Sequence, residues 1–470
     1  MLGAGRAAES NLADAIFGNA FAASKTAAVA AGALAISFLL FAAFGDASTF
    51  AKALIAAGGL LVLLLYPEFA LAAFMVIGDL KGNERIASLF PCDLTLAAGL
   101  IVAAGIALNL VRNKRIAPLP PVYFLFLALA GMMTASLLYT PNVSAGLDKL
   151  TLFLTFTALA IVGPFFVLSD ARALKRFLWC FGSVAYVICI ASLAGLGGAD
   201  RLVTPSDNTI GLGRMACILA AIIWCAAVAG APLRKRVFAY AALAVPLIAM
   251  IGAGSRGPVV AFALVVLASL LFDRRLILDV AALGTAGIAA LPFARIPESS
   301  FAYLGLLTKA QSLHGLLDFR ANLLAFGWIL VRQHPLIGAG LGGFRYSSPN
   351  PGLYKWPHNI FLELACELGI PAALIGLMIF GGAIRESVRQ LRDAASPYFQ
   401  LSVIAAALLC IGGVAAVTTG DINSDRSIWL FVSLVFVIRA YRQQDATAGA
   451  PISSEGTSSQ KRQDFEALTS

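Results

Sequence analysis

Charge is scarce in this sequence, and histidine scarcer. Only 13% of the 470 residues are Asp, Glu, Lys or Arg, 60% are hydrophobic, and the three histidines are His314, His334 and His358. A mean hydropathy of +0.86 excludes a soluble globule, whose surface must be largely polar. The seven cysteines never fall at CxxC spacing, which makes them small packing residues rather than metal ligands or a disulfide framework. No cleavable signal pattern precedes the first apolar run, so the N-terminal segment 1–26 is expected to stay in the cytoplasm. There is no internal repeat of the kind that inverted-repeat transporters carry.

What the chain has in quantity is apolar runs, roughly fourteen of them, from 27–44 to 427–440. They make it an all-α polytopic membrane protein with about 12–14 transmembrane helices, the range set by runs shorter than a bilayer needs and by whether the pair flanking Pro67 forms one broken helix. The net charge of +9 does not point to nucleic acid. The cations sit in short clusters between runs, at Arg112/Lys114/Arg115, Arg172/Lys175/Arg176, Arg234/Lys235/Arg236, Arg274/Arg275 and Arg385/Arg389/Arg392, and clusters of that kind mark cytoplasmic loops. The expected order is a cytoplasmic segment at 1–26, transmembrane helices over 27–292, a large periplasmic loop with amphipathic helices at 293–357, further transmembrane helices over 358–440, and a disordered cytoplasmic tail over 441–470.

The long loop holds all three histidines or borders them, and arginines gather on the same face. Arginine outside the cytoplasm gains nothing from the orientation rule, so each such residue needs another reason. In Gly254-Ser255-Arg256-Gly257-Pro258, glycine and proline fix a tight reversal between two apolar runs and place a guanidinium at the membrane surface. Planar, permanently charged guanidiniums suit a lipid diphosphate. A lone interfacial arginine is more often a snorkelling anchor, the reading that fits Arg201 and Arg345. His314 reads as an interfacial surface residue and His334 as a helix C-terminal cap. His358 follows Pro357 at the start of a helix, where the helix dipole keeps an imidazole neutral and able to accept a proton. The run GAGLGGF at 338–344 is no phosphate loop, since no strand precedes it and no GK[ST] follows. Its glycines are expected to let the loop fold closely over a substrate. Glu363 and Glu367, one turn apart, are expected to orient His358, contact sugar or pack against an arginine; Asp421 and Asp425 are expected to order Arg426 or contact sugar.

GSRGP at 254–258, Arg320 with Trp328, HPLIGAGLGGF at 334–344, PHNIFLELACELGIPAAL at 357–374 and DINSDRSIW at 421–429 together resemble the O-antigen ligase and polysaccharide polymerase superfamily, over residues 200–430. The resemblance implies a GT-C-like helical fold and an inner-membrane glycosyltransferase working on the periplasmic face. It would move a glycan from undecaprenyl diphosphate to a hydroxyl on lipid A core or on another glycan. It further implies His358 as the base or orienting group for the acceptor, and Arg320, Arg214 and Arg256 as diphosphate ligands. Asn359, Glu367 and Asp425 are possible supporting residues. No metal or other cofactor is expected, and inversion at the anomeric carbon follows if His358 deprotonates a hydroxyl attacking opposite the leaving group. The expected partners are membrane lipids and polysaccharide export or assembly proteins, with no nucleic acid. The competing class is a transporter of a small anion or sugar-linked lipid, which should place its charges at the bilayer midplane rather than on one face.

Overall fold

The computed structural model describes residues 59, 62–80, 93–113, 119–195, 202–204, 208–228, 233–272, 276–290, 310–348, 355–423 and 425–448. Among them the secondary structure is entirely helical, with no strand. The runs expected at 27–44 and 53–66 lie largely outside the described residues. A helical stub at 62–65 breaks at Tyr66 and α1 (Pro67–Val76) restarts with proline in its first turn, the position where a missing N–H costs least. There follow α2 (Leu94–Asn113), α3 (Val122–Ser136), α4 (Val143–Val167), α5 (Ala171–Leu193), α6 (Thr209–Ile223), α7 (Leu233–Gly252), α8 (Arg256–Phe272) and α9 (Leu276–Ala290). After 291–309 come α10 (Ala310–Gln333), the short α11 (Gly343–Ser347), α12 (Ile360–Leu368), α13 (Ile370–Leu391), α14 (Phe399–Thr418) and α15 (Arg426–Ala448).

Six described helices are long and apolar enough to cross a membrane: Leu94–Val111, Val143–Val167, Ala171–Leu193, Thr209–Ala226, Ile370–Leu391 and Phe399–Thr418. The chain is a multi-pass membrane protein. Large apolar side chains at Leu100, Val111, Phe124, Phe238, Leu271 and Leu278 point outward, an arrangement that water would penalise and lipid does not. Five helices start on an Asn or Asp whose side chain accepts a free N–H of the first turn; at α2, Asp93 accepts from Thr95 at 2.8 Å and Leu96 at 3.0 Å. Asn142 accepts from Ala145, Asp170 from Ala173, Asn208 from Gly211 and Asn359 from Leu362, all at 2.7–3.0 Å. Such a cap contributes about 1 kcal/mol, and more is at stake where no water can take its place.

The centre of the bundle is α15. From Ile428 to Ile438 every residue is buried, so the apolar run expected at 427–440 is the core, wrapped by α4, α13 and α14 rather than by lipid. Its few polar groups are satisfied across helices: Ser433 Oγ donates to the Ile161 carbonyl at 2.6 Å and Gln390 Nε2 to that of Val435 at 2.9 Å. The helix also continues past the expected start of the tail at 441. Tyr441 donates to the carbonyls of Leu168 and Asp170, Arg442 pairs with Asp393, and Tyr398 donates to Asp445, which holds the last turns in place.

Two further expectations change at 334–381. The apolar run 359–381 is not one span but two helices, broken at Gly369 with φ +88°. The glycine loop packs on that break and not over an open site. Ala339 N–H donates to the Cys366 carbonyl (2.7 Å), Gly340 to Glu367 (3.0 Å) and Ile370 to Pro335 (2.8 Å). The loop thus caps the C-terminal carbonyls of α12, which would otherwise be orphaned. A Cβ at Gly338 would lie 2.2 Å from the Glu367 backbone, and Gly338 itself sits at φ +71°, so backbone approach and not ligand contact explains the glycine.

Candidate functional site

Helix ends converge on one side of the bundle. Asn208 starts α6 and Arg214 lies nearly two turns further in; Gly254, at φ +64°, turns α7 into α8, whose first residue is Arg256. The chain after α14 folds through Thr419–Asn423 to Asp425 at the head of α15. Arg320 rides on α10, which meets α12 where Gly327 accepts from Cys366 Sγ at 3.1 Å. His358 is the residue before the cap of α12. The other end of α15 carries Arg439 and Arg442, sixteen residues or about 24 Å away along the axis from Arg426.

His358 has φ +56°, and among the described residues no other non-glycine residue has a positive φ. That conformation costs on the order of 1 kcal/mol and persists where surroundings impose it, commonly at functional positions. The ring is held by two contacts through Nδ1. Trp356 Nε1 donates to it at 3.1 Å, and the Thr419 carbonyl stands 3.5 Å away. The rings of Trp356 and His358 meet edge to face, centroids 5.8 Å apart. Desolvation lowers the His358 pKa, the Arg320 charge lowers it further, and the Thr419 carbonyl and Asp421 pull the other way. Desolvation and then the Arg256 charge lower that of Arg320, so Arg256, Arg320 and His358 stand within electrostatic reach of one another. Both guanidiniums remain charged at any ordinary pH. Two like charges brought together are a cost that a bound anion offsets.

Arg214 belongs to a second group. Its Nη1 lies 2.5 Å from Asp425 Oδ1, which also accepts from Ser427 Oγ at 2.6 Å. Asp79 stands beside the pair with its carboxylate against Gly211. Burial pushes Asp79 up to about 6 against the pull of Arg214, and Asp425 adds to the rise. Burial likewise raises Asp425, opposed by Arg214 and Ser427. Arg214, read from sequence as a diphosphate ligand, therefore enters the site with its charge already matched. It also lines a small pocket with Ile210, Gly257, Pro258, Thr418 and Thr419, so Thr419 borders both groups.

The supporting residues fall elsewhere than expected. Asn359 caps α12. Glu367 and Glu363 neither reach His358 nor pair with arginine. Both bind Lys149 Nζ, at 2.6 and 2.5 Å, deep between α4 and α12. Glu363 also accepts the Ile422 N–H (3.0 Å), while Asn423 Nδ2 donates to the Lys149 carbonyl (2.8 Å). The lysine node thereby anchors the turn that carries Thr419 and Asp421. Lys149 had a legible signal, a lone cation inside an apolar helix. Arg426 is not ordered by Asp421 or Asp425; its guanidinium lies over the rings of Phe74 and Phe156, 5.1 and 4.9 Å from their centroids. His334 lies at the end of α10 and is exposed, as is Arg345. The side chain of His314 and all of Arg201 lie outside the described residues.

Residues 239–377 match the sequence model of a family described as O-antigen ligase. Over those residues, less than half of its length, the chain is similar to the O-antigen ligase family. No curated protein matches the chain. The O-antigen ligase family is an enzyme family, and ligase or polymerase activity on lipid-linked glycans is what it implies. The matched stretch contains Arg256, Arg320, His358, Asn359 and Glu367, whereas Arg214 and Asp425 lie outside it.

Proposed function

We propose that this protein is an inner-membrane glycosyltransferase that takes a glycan from undecaprenyl diphosphate and joins it to an acceptor hydroxyl, as an O-antigen ligase or polymerase. The observation that carries the reading is the grouping of Arg256, Arg320 and His358 at one end of a helical bundle, within the family-matched stretch. A diphosphate is a good leaving group whose developing charge is the main thing to stabilise, and two fixed guanidiniums supply that. His358 completes the site with a group that hydrogen-bonds reacting oxygen. Arg214, paired with Asp425, holds the frame around the arginines or exchanges its carboxylate for phosphate when the lipid enters. The end bearing the site is assigned to the periplasm and both termini to the cytoplasm, because Arg385, Arg389, Arg392, Arg439 and Arg442 cluster at the other end. Segment 293–357 is then the large periplasmic loop.

The test is transfer by the purified chain in lipid nanodiscs, from a lipid-diphosphate oligosaccharide to a lipid A core or oligosaccharide acceptor. Appearance of joined product with release of lipid diphosphate supports the reading; absence of transfer to either acceptor refutes it. In cells, complementing a deletion strain separates the two activities. Loss of long chains on lipid A core while polymer persists on the carrier marks a ligase, and accumulation of single repeat units marks a polymerase.

A further inference from the structure

At the end of the bundle away from His358, several cations are neutralised inside the protein. Arg176 pairs with Glu68, Arg236 with Asp279 at 2.7 Å and Arg442 with Asp393 at 3.3 Å. The last turns of α13 depart from this. They carry Arg385, Arg389 and Arg392, all three exposed. Among the described residues Arg385 and Arg392 form no ion pair. Arg389 stands 3.5 Å from Glu386, a buried carboxylate that also faces Arg439 at 3.7 Å and accepts from Gln390 Nε2 at 3.2 Å. The trio is left with a net positive charge.

The three arginines also point one way. At 3.6 residues per turn, positions 385, 389 and 392 share a face of α13 with Leu374, Leu377, Met378, Ile384 and Val388. These apolar side chains are 43–54% exposed, while Ala372, Ile379, Ala383 and Gln390 on the opposite face are buried. Gly381 lies midway along the exposed stripe, and a Cβ there would meet nothing within 4 Å, so the stripe has an open notch. From Leu374 to Ile384 it covers about 15 Å along the axis, half of the roughly 30 Å hydrocarbon core of a bilayer. The arginines begin where the acyl region of one leaflet ends.

The orientation rule keeps cations on one side of the membrane, but it does not turn them towards lipid or leave them unpaired. The helix C-terminal dipole favours a cation in the last turn; Arg385, six residues before the final Leu391, lies beyond its reach. We infer that this face of α13 is a binding site for an anionic phospholipid, its phosphodiester held by Arg385, Arg389 and Arg392 and its acyl chains laid on the apolar stripe that ends at Ile384. Guanidiniums grip a phosphate bidentately, and basic groups bordering apolar surface match the chemistry of an anionic headgroup. A zwitterionic headgroup would bring its own cation against three others. The site is independent of glycan transfer and needs only that the chain spans a membrane.

Native mass spectrometry and thermal unfolding of the full-length protein in detergent test this, with palmitoyl-oleoyl phosphatidylglycerol or the matching phosphatidylcholine added. Wild type should retain phosphatidylglycerol in preference to phosphatidylcholine and gain several degrees in Tm from it alone. Each cation at the membrane surface contributes roughly fivefold in affinity for anionic lipid. Arg385→Gln/Arg389→Gln/Arg392→Gln should therefore bind phosphatidylglycerol on the order of 100-fold more weakly and lose the gain in Tm, with its Tm in phosphatidylcholine unchanged. Arg385→Gln alone breaks no ion pair among the described residues and should lose about fivefold, which decides the matter should the triple variant not fold. Arg172→Gln removes another exposed cation of the same end and should leave binding unchanged. Glycerol phosphate has the anion without the chains and should give no gain in Tm. Equal retention of the two lipids, an unchanged preference in the arginine variants, or an equal loss in Arg172→Gln overturns the proposal, because these arginines then form no lipid site. Protection by glycerol phosphate equal to that of the lipid also overturns it, because the apolar stripe then takes no part.

Discussion

Arg320 differs from Arg214 in one respect that sequence does not display: the charge it faces. Arg214 is paired with Asp425 at 2.5 Å, whereas Arg320 has the Arg256 guanidinium as its electrostatic neighbour. Arg320→Ala is expected to reduce kcat for glycan transfer by about 100-fold, and Arg320→Lys to restore only part of it, since a point charge lacks the planar fork. Steady-state rates in nanodiscs check this. Asp79 gives a prediction in stability. Burial raises its folded-state pKa to about 6, above the ordinary aspartate value of about 4, so the protonated carboxyl favours the fold fully below about pH 4 and that contribution is lost as pH rises through about 6. Asp79→Asn should accordingly melt with a flatter pH dependence, gaining on wild type between about pH 5 and pH 7.5. Thermal unfolding in detergent at the two pH values measures it, and a Tm difference that does not change with pH contradicts it.

The elements are held together by buried polar contacts more than by the pattern of apolar residues. Lys149 on α4 links Glu363 and Glu367 of α12, and through Glu363 and Asn423 it fixes the turn after α14. Lys149→Met leaves two buried carboxylates without a cation, at a cost of about 3–5 kcal/mol, and the displaced turn should lower transfer as well as Tm. Replacing all three residues by Met and Leu should recover much of the stability without the activity, which separates the two roles. At the break between α12 and α13, Gly369 sits at φ +88° with the Leu336 carbonyl 2.3 Å from where a Cβ would stand. Gly369→Ala therefore strains the backbone and parts the glycine loop from α12, at a cost of about 1–3 kcal/mol, seen as a lower unfolding temperature in detergent. These contacts account for the glycines of the stretch by backbone approach to α12, where the sequence pattern suggests a cover for substrate. From sequence, a glycine that admits a ligand and one that admits another backbone look alike.

On the scale of the whole molecule, charge is segregated to the two ends of the bundle. Arg439, Arg442 and Asp393 mark one end, and Arg214, Arg256, Arg320 and His358 the other. The assignment of the second end to the periplasm predicts that, with the native cysteines replaced, His334→Cys reacts in intact cells made permeable only at the outer membrane with a membrane-impermeant maleimide. Arg389→Cys should react only after the inner membrane is opened. Labelling in the reverse order would invert the orientation and place the site in the cytoplasm.

The class of fold and the residues worth watching were determined by the sequence alone, because long apolar runs admit only helices in a bilayer and because a charge is conspicuous in so apolar a chain. That holds for Arg256 in its glycine-proline turn and for His358 after Pro357. Partnership was decided only by tertiary structure. Asp425 with Arg214, Glu367 with Lys149 and Trp356 with His358 depend on which helix faces which, and on a left-handed residue at His358 that no local pattern specifies. Local sequence sets the period and the ends of a helix. The neighbour across the bundle is set by packing of the whole chain, so the ionisation and hydrogen bonding of the site become legible only there.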